Sequence, residues 1–218
     1  TVGVVGLLLA AGALWVFYKI AGEVLAKETQ AIDIQVLLTI QQWHRPWLDQ
    51  VMIWLTALGQ PSVLLVSSLV LVVLLLRRKK APEAVALVIV ALGGLGLNLL
   101  LKKLFARDHP ALWERTVHVD FYSFPSGHAM MSMILYGAIG YLLATQFPQW
   151  RGWIAVVIVG LVGAIGFTRL YLGVHWLTDV AAGYAAGLVW LLVVRVGLEV
   201  WKQRRQAAVN SSKELPKS

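Results

Sequence analysis

"EAVALVIVALGGLGLNLLLKKLFARDHP", residues 83–110, decides how this chain folds. Its first part, residues 83–101, holds one charged residue, Glu83, and no proline. An α-helix needs roughly 20 mostly apolar residues to cross the hydrocarbon core of a bilayer. That stretch therefore predicts a membrane span, and "KKLFARDHP" after it predicts a polar segment at the membrane surface. "RRKK", residues 77–80, stands just before the span and acts as a strong stop signal on the opposite side.

The rest of the chain has the same character. Of its 218 residues 59% are hydrophobic and 14% charged, against about 25% charged in a soluble domain. Mean hydropathy is +0.73. So large an apolar excess cannot fit in one globular core. Five further apolar runs read as spans: 2–21, 51–76, 128–146, 153–171 and 176–198. The expected fold is all-α, a bundle of six transmembrane helices in a single domain over 1–206. The polar tail 207–218 is expected to be disordered. The run from Val2 starts at once, with no basic segment before it, which predicts a first membrane helix and not a signal peptide. Its cytoplasmic flank is expected to be trimmed or missing.

Between the first two spans, residues 23–50 are too polar to cross. Ile32, Val36, Leu37 and Ile40 recur at helical spacing, with Trp43 and Trp47 beyond them. They predict an amphipathic helix at the interface, anchored by the two Trp. A helix packed on the bundle satisfies the same pattern. In "LTALGQPS", residues 55–62, Gly59 and Pro61 predict a kink or a delayed start for the second span.

The chain has no cysteine, which excludes disulfides, thiolate metal sites and cysteine catalysis. Its net charge of +8 sits in short segments between apolar runs. Anionic lipids and anionic substrates explain that placement better than nucleic acid does. Residues 77–80 and the C-terminal "WKQRRQ" fall on one side of a six-span chain, the expected cytoplasmic side. Loops 23–50, 102–127 and 172–175 then face outward. The expected location is a bacterial inner membrane, with the site on the periplasmic side. The outward Lys102, Lys103, Arg107 and Arg115 run against the charge rule and need a reason of their own.

Three stretches supply that reason: "KKLFARDHP", residues 102–110, "PSGH", residues 125–128, and "TRLYLGVHWLTD", residues 168–179. The topology brings all three to one membrane face. Lys102, Arg107 and Arg169 could clamp a phosphate or diphosphate. Ser126 and the backbone N–H groups of Gly127 and His128 open a helix N-terminus, which favours anions. His175 and Asp179 stand four residues apart and share one face of a helix. The Asp can hold one imidazole nitrogen and leave the other as attacking base or nucleophile. His128 can give a proton to a leaving oxygen.

These stretches resemble the three signatures of the type 2 phosphatidic acid phosphatase superfamily: Lys-x6-Arg-Pro, Pro-Ser-Gly-His and Ser-Arg-x5-His-x3-Asp. That superfamily includes bacterial lipid phosphatases, undecaprenyl diphosphate phosphatases, acid phosphatases and vanadium haloperoxidases. The second signature is complete. The third has Thr168 in place of Ser. The first has His109 in place of Arg. The six-span pattern resembles the membrane branch. The resemblance implies that His175 attacks phosphorus to form a phosphohistidine, that Asp179 orients it, and that His128 protonates the departing oxygen. It implies that Lys102, Ser126, Gly127 and Arg169 hold the phosphoryl oxygens, with no metal and no cofactor.

At His109 three readings stand. It is a weaker phosphate ligand that tilts activity toward acid pH, or Arg107 takes the Arg role, or the site is impaired. Of the remaining histidines, His44 reads as an interfacial anchor, and His118, in the outer loop, as either solvated or near the substrate mouth. Asn98, in "GGLGLN" at 93–98, is expected to bond another helix or support Lys102, one turn further on. Gly183 and Gly187 are expected to pack helices within the chain. The expected activity is hydrolysis of a phosphate or diphosphate monoester on a lipid: undecaprenyl diphosphate, phosphatidic acid or phosphatidylglycerol phosphate. A lipid-binding or lipid-translocating protein with a relic site is the alternative.

Overall fold

The computed structural model describes residues 2–113, 117 and 121–214. The chain runs through α1 (Val2–Leu25), α2 (Gln30–Gln41), α3 (Pro46–Ala57), α4 (Pro61–Arg77), α5 (Ala81–Phe105), α6 (Gly127–Gln146), a 3-10 turn (Pro148–Trp150), α7 (Arg151–Tyr171) and α8 (Leu177–Glu214). The described residues contain no strand, so the fold is all-α as expected. The last helix continues to Glu214, through most of the polar stretch that begins at 207.

Five helical segments are long and apolar enough to cross a membrane: Val4–Leu25, Ala81–Phe105, Gly127–Gln146, Pro148–Tyr171 and Leu177–Trp201. A sixth exists if α3 and α4 are one span, bent by 45°. The bend has a local cause. Pro61 begins α4, where its missing N–H costs nothing. Gly59 lies in the break, and a Cβ there would come 2.3 Å from Ile165 and 3.3 Å from the His128 ring. Only a residue without a side chain lets this corner lie so close to α7. The kink expected from Gly59 and Pro61 is therefore present.

The face of α2 that carries Asp33, Leu37 and Ile40 is buried, while Ile32 is exposed. The helix packs on α7 and α8. Burial of that face matches the packed-helix reading more closely than the interfacial one. The open face keeps Ile32 and leads to the exposed Trp43 and Trp47.

The centre of the bundle is α6, whose Met130, Met131, Ile134 and Leu135 are fully buried. In lipid, apolar side chains gain little by leaving one hydrocarbon for another, so close backbone approach and polar bonds hold helices together. The seam between α6 and α8 follows that rule. A Cβ on Gly183 would meet the Ser126 carbonyl oxygen at 2.8 Å, and one on Gly187 would meet the Met130 carbonyl oxygen at 2.8 Å. The paired glycines thus pack inside the chain. Gly93 and Gly94 accommodate Trp190 in the same way, and its indole donates to the Val90 carbonyl at 3.1 Å. The seam fixes the start of α6 against the start of α8, where the site lies.

Candidate active site

The site forms at the end of the bundle opposite residues 77–80. A tight turn after α7 builds its centre. Gly173 takes the left-handed φ of +64°, with Trp113 packed where a Cβ would project. The turn brings the N–H groups of Val174 and His175 back onto the Arg169 carbonyl, at 3.1 and 3.3 Å. His175 thereby lies beside the Arg169 backbone and one turn from Asp179.

Asp179 is fully buried and every bond it makes has a purpose. One oxygen accepts from the Trp176 N–H at 2.9 Å, which caps the start of α8. The same oxygen accepts from the Ser123 hydroxyl and lies 3.3 Å from His175 Nδ1. The other oxygen accepts from Arg107 at 2.8 Å. Asp179 therefore holds Nδ1 of His175, and Nε2 makes no hydrogen bond among the described residues. The His175 pKa lies well below 6.5: burial penalises the cation first, and Arg169, Lys102 and His109 oppose it further. The ring is neutral at pH 7, with a lone pair on Nε2. That is the state a nucleophile needs.

Two cations flank it. Lys102, in the last turn of α5, is buried and donates to the Tyr122 carbonyl. Arg169 is 4% exposed and donates to Thr56 at 2.7 Å, yet among the described residues its Nε finds no hydrogen-bond partner and no carboxylate pairs with it. A buried guanidinium with a spare donor is costly, and an anion drawn into the site would satisfy it.

The "PSGH" turn closes the site from α6. Ser126 is the N-cap, accepting from Ala129 at 3.5 Å, and its own N–H donates to the Asp179 carbonyl at 3.0 Å. A Cβ on Gly127 would come 3.1 Å from Asn98 Oδ1 and 3.8 Å from Lys102 Cε. This glycine lets the end of α5 lie close against the N-terminus of α6. Asn98 reaches the Pro125 carbonyl at 3.5 Å and so ties α5 to the turn. His128 makes no hydrogen bond among the described residues. The cations Arg169 and Lys102 and the neutral ring of His175 lie around it.

His109 stands beside the centre, its ring 4.9 Å from that of His175. Its Nδ1 donates to the Val174 carbonyl at 2.5 Å. Arg107 turns elsewhere. It bonds Asp33 at 2.7 Å, Asp179 at 2.8 Å and Thr178 at 2.8 Å, and packs over the Trp176 ring at 5.4 Å. Its guanidinium faces carboxylates, not the corner between Lys102 and Arg169. His44 stacks on Tyr171 at 4.3 Å and its Nε2–H donates to the Tyr171 carbonyl at 2.8 Å, so its ring packs against the end of α7. His118 and Arg115 lie outside the described residues.

Sequence reading missed Asp33, Ser123, Thr178 and Thr56, all buried. Asp33 did leave a signal: it stands at i with Leu37 and Ile40 at i+4 and i+7, a charge on an apolar stripe. Ser123 and Thr56 left none. No group of three or more His, Cys, Asp or Glu with metal-holding geometry occurs among the described residues.

A model of the PAP2 superfamily matches residues 82–202. The chain is 30% identical over 198 residues to phosphatidylglycerophosphatase B of Bacillus subtilis, covering 89% of this chain and 97% of that one. It is 38% identical over 78 residues to an undecaprenyl-diphosphatase of Sulfolobus acidocaldarius, 36% of this chain and 34% of that one. Among solved structures, the transmembrane PAP2 type phosphatidylglycerolphosphate phosphatase from Bacillus subtilis superposes with a TM-score of 0.79 at 27% identity, over 85% of this chain and 94% of that one. LpxE of Aquifex aeolicus shares the fold, with a TM-score of 0.57 at 23% identity, over 74% of this chain and 93% of that one. A site of neutral imidazole, carboxylate and buried cations, on a helical bundle that matches this family along nearly its whole length, places the chain among membrane lipid phosphatases: it belongs to the PAP2 superfamily.

Proposed function

We propose that the chain removes the terminal phosphate of an anionic membrane lipid through a phosphohistidine on His175. The observation that carries this is the neutral His175, held at Nδ1 by Asp179 between the buried cations Lys102 and Arg169. The Nε2 lone pair attacks phosphorus. The bond from phosphorus to the lipid oxygen breaks, and its electron pair stays on that oxygen, which takes a proton from His128. Water then attacks the phosphohistidine. His128 accepts the water proton, the P–N bond breaks, and its electrons return to Nε2 as phosphate departs. Lys102, Arg169, Ser126 and the N–H groups at Gly127 and His128 hold the phosphoryl oxygens, where most of the catalytic stabilisation in such a reaction arises. His109 adds positive charge beside the phosphate when it is protonated. Arg107 serves Asp179 and not the phosphate.

Phosphatidylglycerol phosphate is the leading substrate, because the relative that matches along its whole length bears that name. Undecaprenyl diphosphate and phosphatidic acid share the same head chemistry. The site would face the periplasm of a bacterial inner membrane.

The test is phosphate release in detergent micelles from these three lipids, with EDTA, for the parent and for His175→Ala. Release by the parent and at least about a 10⁴-fold loss in the variant is expected, since removing a covalent nucleophile costs at least that much. Equal release by the variant would remove the phosphohistidine. Orthovanadate should compete with substrate as a phosphate mimic.

A further inference from the structure

Asp33 lies on α2, outside all three signatures, and is fully buried. Both of its oxygens are engaged. One accepts from the Thr178 N–H at 3.0 Å. The other accepts from the Thr178 hydroxyl at 2.7 Å and from Arg107 at 2.7 Å. Thr178 is in the first turn of α8, where the backbone N–H groups lack partners within the helix. Asp33 therefore caps α8 from a different helix, 145 residues away in sequence. That role alone would be structural.

The link through Arg107 goes further. From Asp33, bonds run to Arg107 at 2.7 Å, from Arg107 to Asp179 at 2.8 Å, and from Asp179 to His175 Nδ1 at 3.3 Å. Arg107 uses separate nitrogens for the two carboxylates. A planar guanidinium held at both ends by carboxylates cannot rotate, so its orientation fixes the oxygen of Asp179 that it touches. The other oxygen of Asp179 then faces His175. Without the charge of Asp33, Nη2 of Arg107 loses its partner, and the guanidinium is held only through Nη1, by Asp179 and Thr178, about which it can swing. Asp179 then loses the fixed partner on its other oxygen, and the oxygen that faces the imidazole is held by the Trp176 N–H and the Ser123 hydroxyl alone. Both carboxylates and the guanidinium are largely shielded from water, which leaves solvent little room to replace a lost partner.

We infer that Asp33 is a positioning residue for the phosphoryl-transfer step, acting through Arg107 to fix Asp179 and so the Nδ1–H tautomer of His175. This rests on the proposed role of His175 as nucleophile. It adds a fourth element, α2, to a site otherwise made by the ends of α5, α6 and the α7–α8 turn. It also gives Arg107 a reason for its place in an outward-facing loop: it joins two carboxylates.

The experiment compares the full chain in detergent with Asp33→Asn, Arg107→Gln and the double variant. Asn keeps the size and the capping oxygen but not the charge. Two readouts are taken from protein that elutes as a single folded species: kcat and KM for phosphate release, and the tautomer of His175 by ¹⁵N NMR of labelled histidine, its signal identified by its loss in His175→Gln. The expected result is a fall in kcat of about tenfold or more for Asp33→Asn, KM within about twofold, and a double variant no worse than Arg107→Gln alone. The His175 signal should move from a single Nδ1–H tautomer to a mixture. A kcat within about twofold of the parent, a double variant in which the two losses multiply, or an unchanged tautomer would each overturn the inference. If Asp33→Asn does not fold, Arg107→Lys takes its place. A lysine is a point charge without the two-pronged geometry, so the same loss of kcat and the same mixed tautomer are expected, and parental values for both would overturn the inference. If the parent releases no phosphate from any lipid, the proposed function fails, and the tautomer comparison still decides the role of Asp33.

Discussion

As the proposed nucleophile, His175 must stay neutral, and it sits where its own cation is opposed from several sides. Burial, Arg169, Lys102 and His109 all push its pKa below 6.5. The sign for activity follows directly. An imidazole of ordinary pKa would lose its lone pair as pH fell through about 6.5, whereas this one keeps it to more acid pH. The acid limb of kcat/KM, measured between pH 4 and 8, should therefore fall below 6.5. A limb at or above 6.5 that His175 accounts for would mean that the ring is solvated. The same shift has a cost in folding. The unfolded chain binds a proton at His175 below about 6.5 and the folded chain does not, so stability declines as pH falls from 6.5 toward the depressed value. His109 stands beside His175, with its Nδ1 committed to the Val174 carbonyl. His109→Arg should set a permanent charge close to the proposed position of the phosphorus. A higher kcat/KM at pH 8 is the expected result, and an unchanged value would show that charge at this position plays no part.

Among the elements, the contact between α6 and α8 has the least tolerance. The Gly183 and Gly187 positions meet backbone oxygens at 2.8 Å, and backbone cannot turn aside as a side chain can. Gly183→Val should separate the "PSGH" turn from the start of α8, at a cost of about 1–3 kcal/mol from overpacking. A lower unfolding temperature in detergent, together with reduced kcat, is the expected result. Gly160→Ala is the control: nothing lies within 4 Å of its Cβ position on α7, so its unfolding temperature should match the parent. This seam was legible in the sequence because small residues four apart on an apolar helix have one main use in lipid. The "PSGH" turn and the His175–Asp179 spacing were legible for a similar reason, since each needs only local geometry. Arg107 and Asp33 were not. Nothing local distinguishes an arginine that clamps phosphate from one that joins two carboxylates. The difference lies in a helix 74 positions earlier in the chain, whose one buried charge sits on a stripe that otherwise reads as apolar. The bend between α3 and α4 was visible in Gly59 and Pro61, but its fit against Ile165 and His128 required the fold.

For the molecule as a whole, the distribution of charge carries two messages that conflict at the surface and agree once the site is known. Residues 77–80 mark one end of the bundle with four consecutive cations, as expected for a cytoplasmic face. The opposite end also carries cations, but there Lys102 and Arg169 are buried around His175 and Arg107 is held by Asp33 and Asp179. On the proposed reading these residues serve the substrate and the carboxylates and not the charge rule, which leaves Lys103 against the four cations of residues 77–80 and supports an outward-facing site. The chain contains no cysteine, which makes the orientation directly measurable. Lys103 is exposed at the site end of α5, and Gln149 is exposed in the 3-10 turn at the other end. Single variants Lys103→Cys and Gln149→Cys, treated in intact spheroplasts with a membrane-impermeant maleimide, should separate cleanly. Lys103→Cys is expected to label at once, and Gln149→Cys only after the membrane is permeabilised. The reverse pattern would place the site in the cytoplasm, and the lipid would then have to present its phosphate to the inner leaflet. Labelling of both positions in intact spheroplasts would mean that the segment between them does not cross the bilayer once, and α6 would no longer count as a span.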